Sequence, residues 1–218
     1  MLKRSQKERS NNKIPSHYVM YLCLFIASIS FAQGGYLLVK AHFAQYLLKR
    51  AWHREVVDFD PQKTTMVKPW PWADIYPVAK ISFDRFNIEQ MVLNNDSGQA
   101  LAFGPGLYQG DINYEHNQNK NVYVISAHND THFSVLQKLS LNDRVTISFA
   151  SGISYSLKVN NIAIIDTRTE QLVVVQDQVQ QEKNEHNELN IKELVLVTCY
   201  PFGGVSNQTS FRYVVYLT

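Results

Sequence analysis

Near the C-terminal end stands Val195-Leu196-Val197-Thr198-Cys199-Tyr200-Pro201-Phe202-Gly203-Gly204. An apolar, β-branched run too short for a helix ends in a threonine and a cysteine, and Pro and Gly then stop it. That pattern predicts a buried strand with a cysteine at its exit. A second strand, Arg212-Tyr213-Val214-Val215-Tyr216-Leu217, opens on an arginine. Far upstream, Val122-Tyr123-Val124-Ile125-Ser126 runs into Ala127-His128-Asn129-Asp130-Thr131-His132-Phe133. A cysteine, a histidine and an arginine thus each stand at a strand edge. A cysteine nucleophile needs a base and an oxyanion donor, and this set can supply both.

The rest of the chain reads as more short strands. Val78–Ser82 and Gln90–Leu93 fit strands, with the turn cluster Asn94-Asn95-Asp96-Ser97-Gly98 after them. Ala102-Phe103-Gly104-Pro105-Gly106 is a rigid bend, and a polar loop runs from Glu115 to Asn121. Thr131 is placed to cap a short helix whose apolar residues are Phe133, Leu136 and Leu139, and Asp143 reads as a turn acid. Val145–Phe149 and Ile153–Val159 predict a hairpin across Ala150-Ser151-Gly152, with Ile162–Ile165 continuing the second strand. Residues 166–193 form a long polar connection with one apolar run, Leu172 to Val175. Many short strands separated by turns predict a mainly β fold, a closed or nearly closed barrel with short helices.

The N-terminal quarter differs. Residues 1–16 are basic, with Lys3, Arg4, Lys7, Arg9 and Lys13, and from Tyr18 to Val39 no residue is charged. Roughly 20 apolar residues span a bilayer as a helix, so 17–39 is expected to be one N-terminal transmembrane helix. A cleaved signal peptide is the rival, because Ser30-Phe31-Ala32 offers small residues before Gln33. Lys40, Lys49, Arg50 and Arg54 follow the run, so the charge balance biases its orientation only weakly. Residues 40–74 are expected as a juxtamembrane spacer, with Phe43, Leu47 and Ala51 at helical spacing and Trp70 and Trp72 among prolines as an ordered strap or interface anchors. A catalytic domain over 75–218 follows. The formal net charge of +2 argues against a nucleic-acid partner. Cys23 lies in the apolar run and Cys199 in the globular part, so no disulfide framework is expected.

These stretches resemble the sortases, membrane-anchored cysteine transpeptidases. Thr198-Cys199 at a strand end is similar to the sortase signature around the nucleophile. The His128 segment, with Asp130-Thr131-His132-Phe133 and then Leu136, Leu139 and Asp143, resembles the segment of the sortase histidine. Arg212 opening the last strand resembles the sortase arginine. With Trp70-Pro71-Trp72-Ala73-Asp74 upstream, the text is most similar to the marine proteobacterial subfamily, over roughly the last two thirds of the chain. Ala127 stands where sortases usually have glycine, and Asn129 where a basic residue is common.

The resemblance implies a sortase barrel with Cys199 as nucleophile, His128 as general acid/base and Arg212 stabilising the developing oxyanion. Thr198, Asp130, Thr131 and His132 are expected to support them. The implied reaction cleaves a C-terminal sorting signal of a target protein through a Cys199 thioester and passes the acyl group to an amine, with no metal or organic cofactor. The implied location is the extracytoplasmic side of a bacterial cytoplasmic membrane. Residues 166–193 correspond to the connection that borders the sorting-signal groove. Three other readings stand beside this one: a cysteine peptidase on the same scaffold, a membrane-tethered domain that binds peptides by strand addition, and a zinc site built from His128, His132 and Cys199.

Overall fold

The computed structural model describes residues 16–62, 65–108, 122–169, 191, 193–204 and 209–218. The expectations for the basic tail, the loop Glu115–Asn121 and most of the 166–193 connection, with its Leu172–Val175 run, lie outside these residues. The chain divides into two compact units, Met1–Phe43 and Ala44–Thr218.

The first unit holds most of a helix, α1, which runs over Ser16–Val57. Ser28 and Ser30 donate their hydroxyls back to Leu24 O (2.9 Å) and Ile26 O (3.0 Å), so each is satisfied inside the helix. The helix covers the segment 17–39 expected to span a membrane. Yet among the described residues no helix is long and apolar enough to cross one.

In the second unit, the last turns of α1 turn one face inward. Ala44, Leu48 and Ala51 are buried, one helical face at spacings of four and three. Leu48 joins Ala73, Ile75, Leu93 and Ala100 in a cluster flanked by Trp70 and Phe103. Gln45 Nε2 donates to Phe103 O (2.6 Å), and Val67 N donates to Glu55 Oε2 (2.8 Å). The buried face is rotated from the expected one, since Phe43 is exposed and Leu47 only half-buried. The two tryptophans also part: Trp70 packs edge-on against Phe103, whereas Trp72 is 80% exposed.

The barrel itself follows the sequence pattern closely. Its strands are β1 (Pro77–Phe83), β2 (Ile88–Leu93), β3 (Gly106–Leu107), β4 (Val122–Ser126), β5 (Arg144–Phe149), β6 (Ser154–Asp166), β7 (Glu193–Cys199) and β8 (Phe211–Leu217). They close in the order β1-β2-β3-β4-β7-β8-β6-β5. Strict alternation in β1 places Ala79, Ile81 and Phe83 inside. The 13-residue β6 serves two neighbours, pairing with β5 up to Lys158 and with β8 from Val159, across a register shift at Val159/Asn161. Gly152, at φ 84°, supplies the left-handed residue of the β5–β6 turn. Gly106 is required for a different reason: a Cβ there would lie 2.3 Å from Asn95 O. That close approach lets Leu93 pair with Gly106 where β2 meets β3.

A short α-helix, α2 (Gly98–Leu101), is capped by Ser97 Oγ, which accepts from Ala100 N (3.3 Å). A 3-10 helix over His132–Lys138 carries Phe133, Val135 and Leu136 into the barrel core, with the Phe133 ring perpendicular to Phe83. Thr131 occupies its N-cap position but makes no side-chain capping bond, which corrects that expectation. Instead its carbonyl accepts from Ser134 Oγ (2.7 Å). Asp143 Oδ2 accepts from Ser140 N (2.9 Å) and Arg85 Nη1 (3.0 Å), the part of a turn acid.

Candidate active site

Three adjacent strands, β4, β7 and β8, build the site. β7 lies between the other two, parallel to β4 and antiparallel to β8. Side chains alternate across a strand, so face assignment follows from burial. Leu194 and Leu196 of β7 lie in the barrel core, while Val195 and Val197 belong to a separate cluster on the outer side with Val124, Ile165 and Val214. Cys199 falls on this outer side and is half-buried. Arg212 is its direct cross-strand partner on β8. Directly opposed residues share a face and approach to about 5 Å between Cβ atoms.

His128 reaches the same place from β4. The parallel register pairs Ser126 with Val197. Continued for two residues, it sets Ala127 beside Thr198, both buried, and His128 beside Cys199. The continuation is bonded: Ala127 N donates to Val197 O (3.3 Å), and buried Thr198 Oγ1 donates to Ala127 O (2.6 Å). Phe133 N closes the following turn on His128 O (2.9 Å). The His128 side chain is left exposed. The structure therefore brings the three sequence-derived candidates to one outer edge of the barrel, and shows Thr198 as the bond between their strands.

Arg212 is oriented by backbone. Its Nη1 donates to Thr209 O (2.6 Å) and Phe211 O (3.0 Å). Thr209 Oγ1 in turn donates to Tyr200 O, and Tyr200 N donates to Phe211 O (3.1 Å). The segment after Cys199 is thus stitched to the start of β8. Below it, Tyr200, Phe202 and Tyr213 form a trio of ring contacts, with Phe202 and Tyr213 5.1 Å apart between centroids.

His132 does not share the exposure of His128. Burial holds its imidazole below the ordinary range, the neighbouring His128 pushes the same way, and Asp130 opposes both. Its carbonyl accepts from Gln90 Nε2 (2.6 Å). These are features of a packed, neutral side chain. Among the described residues no group of three or more His, Cys, Asp or Glu stands together to hold a metal.

Glu193 escaped the sequence reading, and Asn129 entered it only as a departure from a commonly basic position. Asn129 is buried and donates through Nδ2 to Pro201 O (2.9 Å). Glu193 opens β7 on the outward side that carries Cys199, and burial pushes its carboxyl up to about 7. An acid at the head of an apolar run was the visible signal for Glu193.

Comparison with known proteins bears on the family and the fold. A family model described as the sortase domain matches residues 81–218. Sortase D of Bacillus subtilis (strain 168) is 24% identical over 136 residues, 62% of this chain and 60% of that protein. The chain thus spans about three fifths of that relative's length. The solved structure of sortase A from Corynebacterium diphtheriae matches with a TM-score of 0.50 at 18% identity, covering 80% of this chain and 82% of the other. At that identity the likeness is one of fold.

Proposed function

The chain belongs to the sortase family, and from that premise we propose that it is a cysteine transpeptidase acting on the C-terminal sorting signal of a target protein. The observation that carries the reading is the shared outer edge of β4, β7 and β8, where Cys199 and Arg212 are cross-strand partners and His128 stands beside Cys199 in continued register.

The Cys199 thiolate attacks a backbone carbonyl of the target. As the carbonyl oxygen gains charge, the Arg212 guanidinium donates to it, a contact that strengthens in the transition state. The C–N bond then breaks, and His128 gives a proton to the departing amine. The target's new C-terminus is held as a thioester on Cys199. An incoming amine loses its proton to His128, attacks the thioester and releases the thiolate. Thr198, bonded to Ala127 O, keeps β7 in register with the segment that leads to His128, and half-buried His132, with Thr131 O held by Ser134 Oγ, supports the turn after His128. The buried cluster of Val124, Val195 and Val214, with Val197 packed against it, holds the three strands together beneath the site.

The finer assignment is to the marine proteobacterial type, supported by Trp70-Pro71-Trp72 and Thr198-Cys199-Tyr200-Pro201. We place the protein at the extracytoplasmic side of a bacterial cytoplasmic membrane, attached through residues 17–39. The support is the uncharged run from Tyr18 to Val39 and the exposed apolar side chains from Tyr18 to Phe31. Alkaline carbonate extraction of membranes tests it: retention in the pellet fits attachment, and full release to the supernatant rules it out.

The reaction is tested by incubating the full chain with a target bearing a candidate sorting signal and an added amine, then weighing the products. Amine joined to the shortened target, lost in Cys199→Ala, is the predicted result. A shortened target carrying only water identifies a cysteine peptidase instead. Transfer that survives in Cys199→Ala overturns the assignment.

A further inference from the structure

Cys199 ends β7, and His128 lies two residues past the end of β4, in the loop that follows it. Strand pairing ends at Ser126 and Val197 on this side of β7. Something beyond the ladder must hold the pair. On the inner side of both residues, Thr198 Oγ1 donates to Ala127 O (2.6 Å), joining the neighbour before His128 to the neighbour before Cys199. On the far side, Asn129 Nδ2 donates to Pro201 O (2.9 Å), joining the neighbour after His128 to the loop after Cys199. Both polar residues are buried, Thr198 at 2% and Asn129 at 6% exposure, while His128 between them is exposed. A carbonyl only accepts, so the NH2 end of Asn129 must face Pro201.

We propose that Asn129 is a positioning residue: its bond to Pro201 O completes, with Thr198, a two-point clamp that sets the His128 imidazole against Cys199. This rests on the sortase reading above and deepens it. Without the second bond the turn is still closed by Phe133 N on His128 O (2.9 Å), but it is not tied to the loop after Cys199. Two bonds, one on each side of the histidine, fix the backbone in between. A loss of about 1 Å in such placement can cost on the order of a hundredfold in rate. The chemistry of position 129 also matters, because a long basic side chain could not make this short, buried contact.

The test needs no substrate. The rate of Cys199 alkylation by iodoacetamide is followed against pH on the full chain, and read at Cys199 by peptide mass so that Cys23 does not contribute. Wild type, His128→Ala, Asn129→Ala and Asn129→Asp are compared, with circular dichroism to check the fold. Asn129→Asp keeps the shape while removing the donor at neutral pH, so it serves should the alanine variant fold poorly. The expected result is that His128→Ala changes the profile, and that both Asn129 variants move it most of the way toward His128→Ala. Alkylation at pH 7 would fall about tenfold. Folded Asn129 variants with the wild-type profile, beside an altered His128→Ala, would overturn the clamp and leave the active-site reading standing. A His128→Ala profile identical to wild type would overturn the pairing of His128 with Cys199, and the clamp with it.

Discussion

Two regions of this molecule are held together by opposite means. The outer edge of β4, β7 and β8 is set by register: Cys199 meets Arg212 because two strands pair, and His128 meets Cys199 because two side-chain bonds extend a parallel ladder. The cluster around Leu48 is set mainly by burial, with Ala73, Ile75, Leu93 and Ala100 packed on the end of α1 and the Gln45 bond to Phe103 O beside them. At the edge, reacting groups stay half-open and few apolar contacts are involved. At the cluster, Leu48 is wholly buried and no reacting group is near it in sequence. Damage to the first should cost rate at little cost in stability, and damage to the second the reverse.

Arg212→Gln sharpens this division most. It removes the guanidinium while keeping a side chain on β8, and turnover is expected to fall by about two to three powers of ten with KM little changed. Thermal unfolding should stay near wild type. A variant that keeps full turnover would remove Arg212 from the reaction.

Leu48→Ala is the converse. A fully buried leucine cut to alanine costs about 2–5 kcal/mol, seen as a lower denaturation midpoint, while turnover per folded molecule stays unchanged. A chain begun at Ile75, the boundary suggested by sequence, should be weakened further, because it lacks both Leu48 and Ala73. An unaltered midpoint in either would show that α1 contributes nothing to the barrel unit.

The smallest expected effect concerns Glu193, whose carboxyl is raised to about 7 by burial. A raised acid keeps its proton in the folded state while the unfolded chain has lost it. Stability therefore falls as pH rises from about 4.5 toward 7, and the loss persists above that. Glu193→Gln should remove the penalty, with about 1 kcal/mol gained at pH 8.5, or roughly 2–4 °C in Tm. It should change little at pH 4. Equal Tm differences at both pH values would contradict the buried, protonated acid.

The barrel was legible because its strands carry period-two patterns that burial enforces. β1 and β7 matched their expected segments within two residues at each end, and β6 ran on through Ile165 as its apolar text suggested. The site was legible for a related reason: strand ends with Pro or Gly after them fix where Cys199 must emerge. The end of α1 was not. Helical spacing from Phe43 named a face, but several phases of that segment are equally apolar, and only the partners Ala73 and Ile75 choose the one through Ala44, Leu48 and Ala51. Asn129 was invisible as a contributor because its partner is a backbone carbonyl distant in sequence. The missing cap at Thr131 has a similar cause, since its segment is shaped by Phe133 entering the core rather than by a cap.

The central claim is that Cys199 carries the acyl group. Intact mass of the full chain, taken after mixing with a target that ends in a candidate sorting signal, tests it most directly. The account predicts an added mass on Cys199 that hydroxylamine releases, absent in Cys199→Ala and weaker in Arg212→Gln. Acyl transfer from the same target with no thioester on Cys199, or an adduct that survives Cys199→Ala, would contradict it.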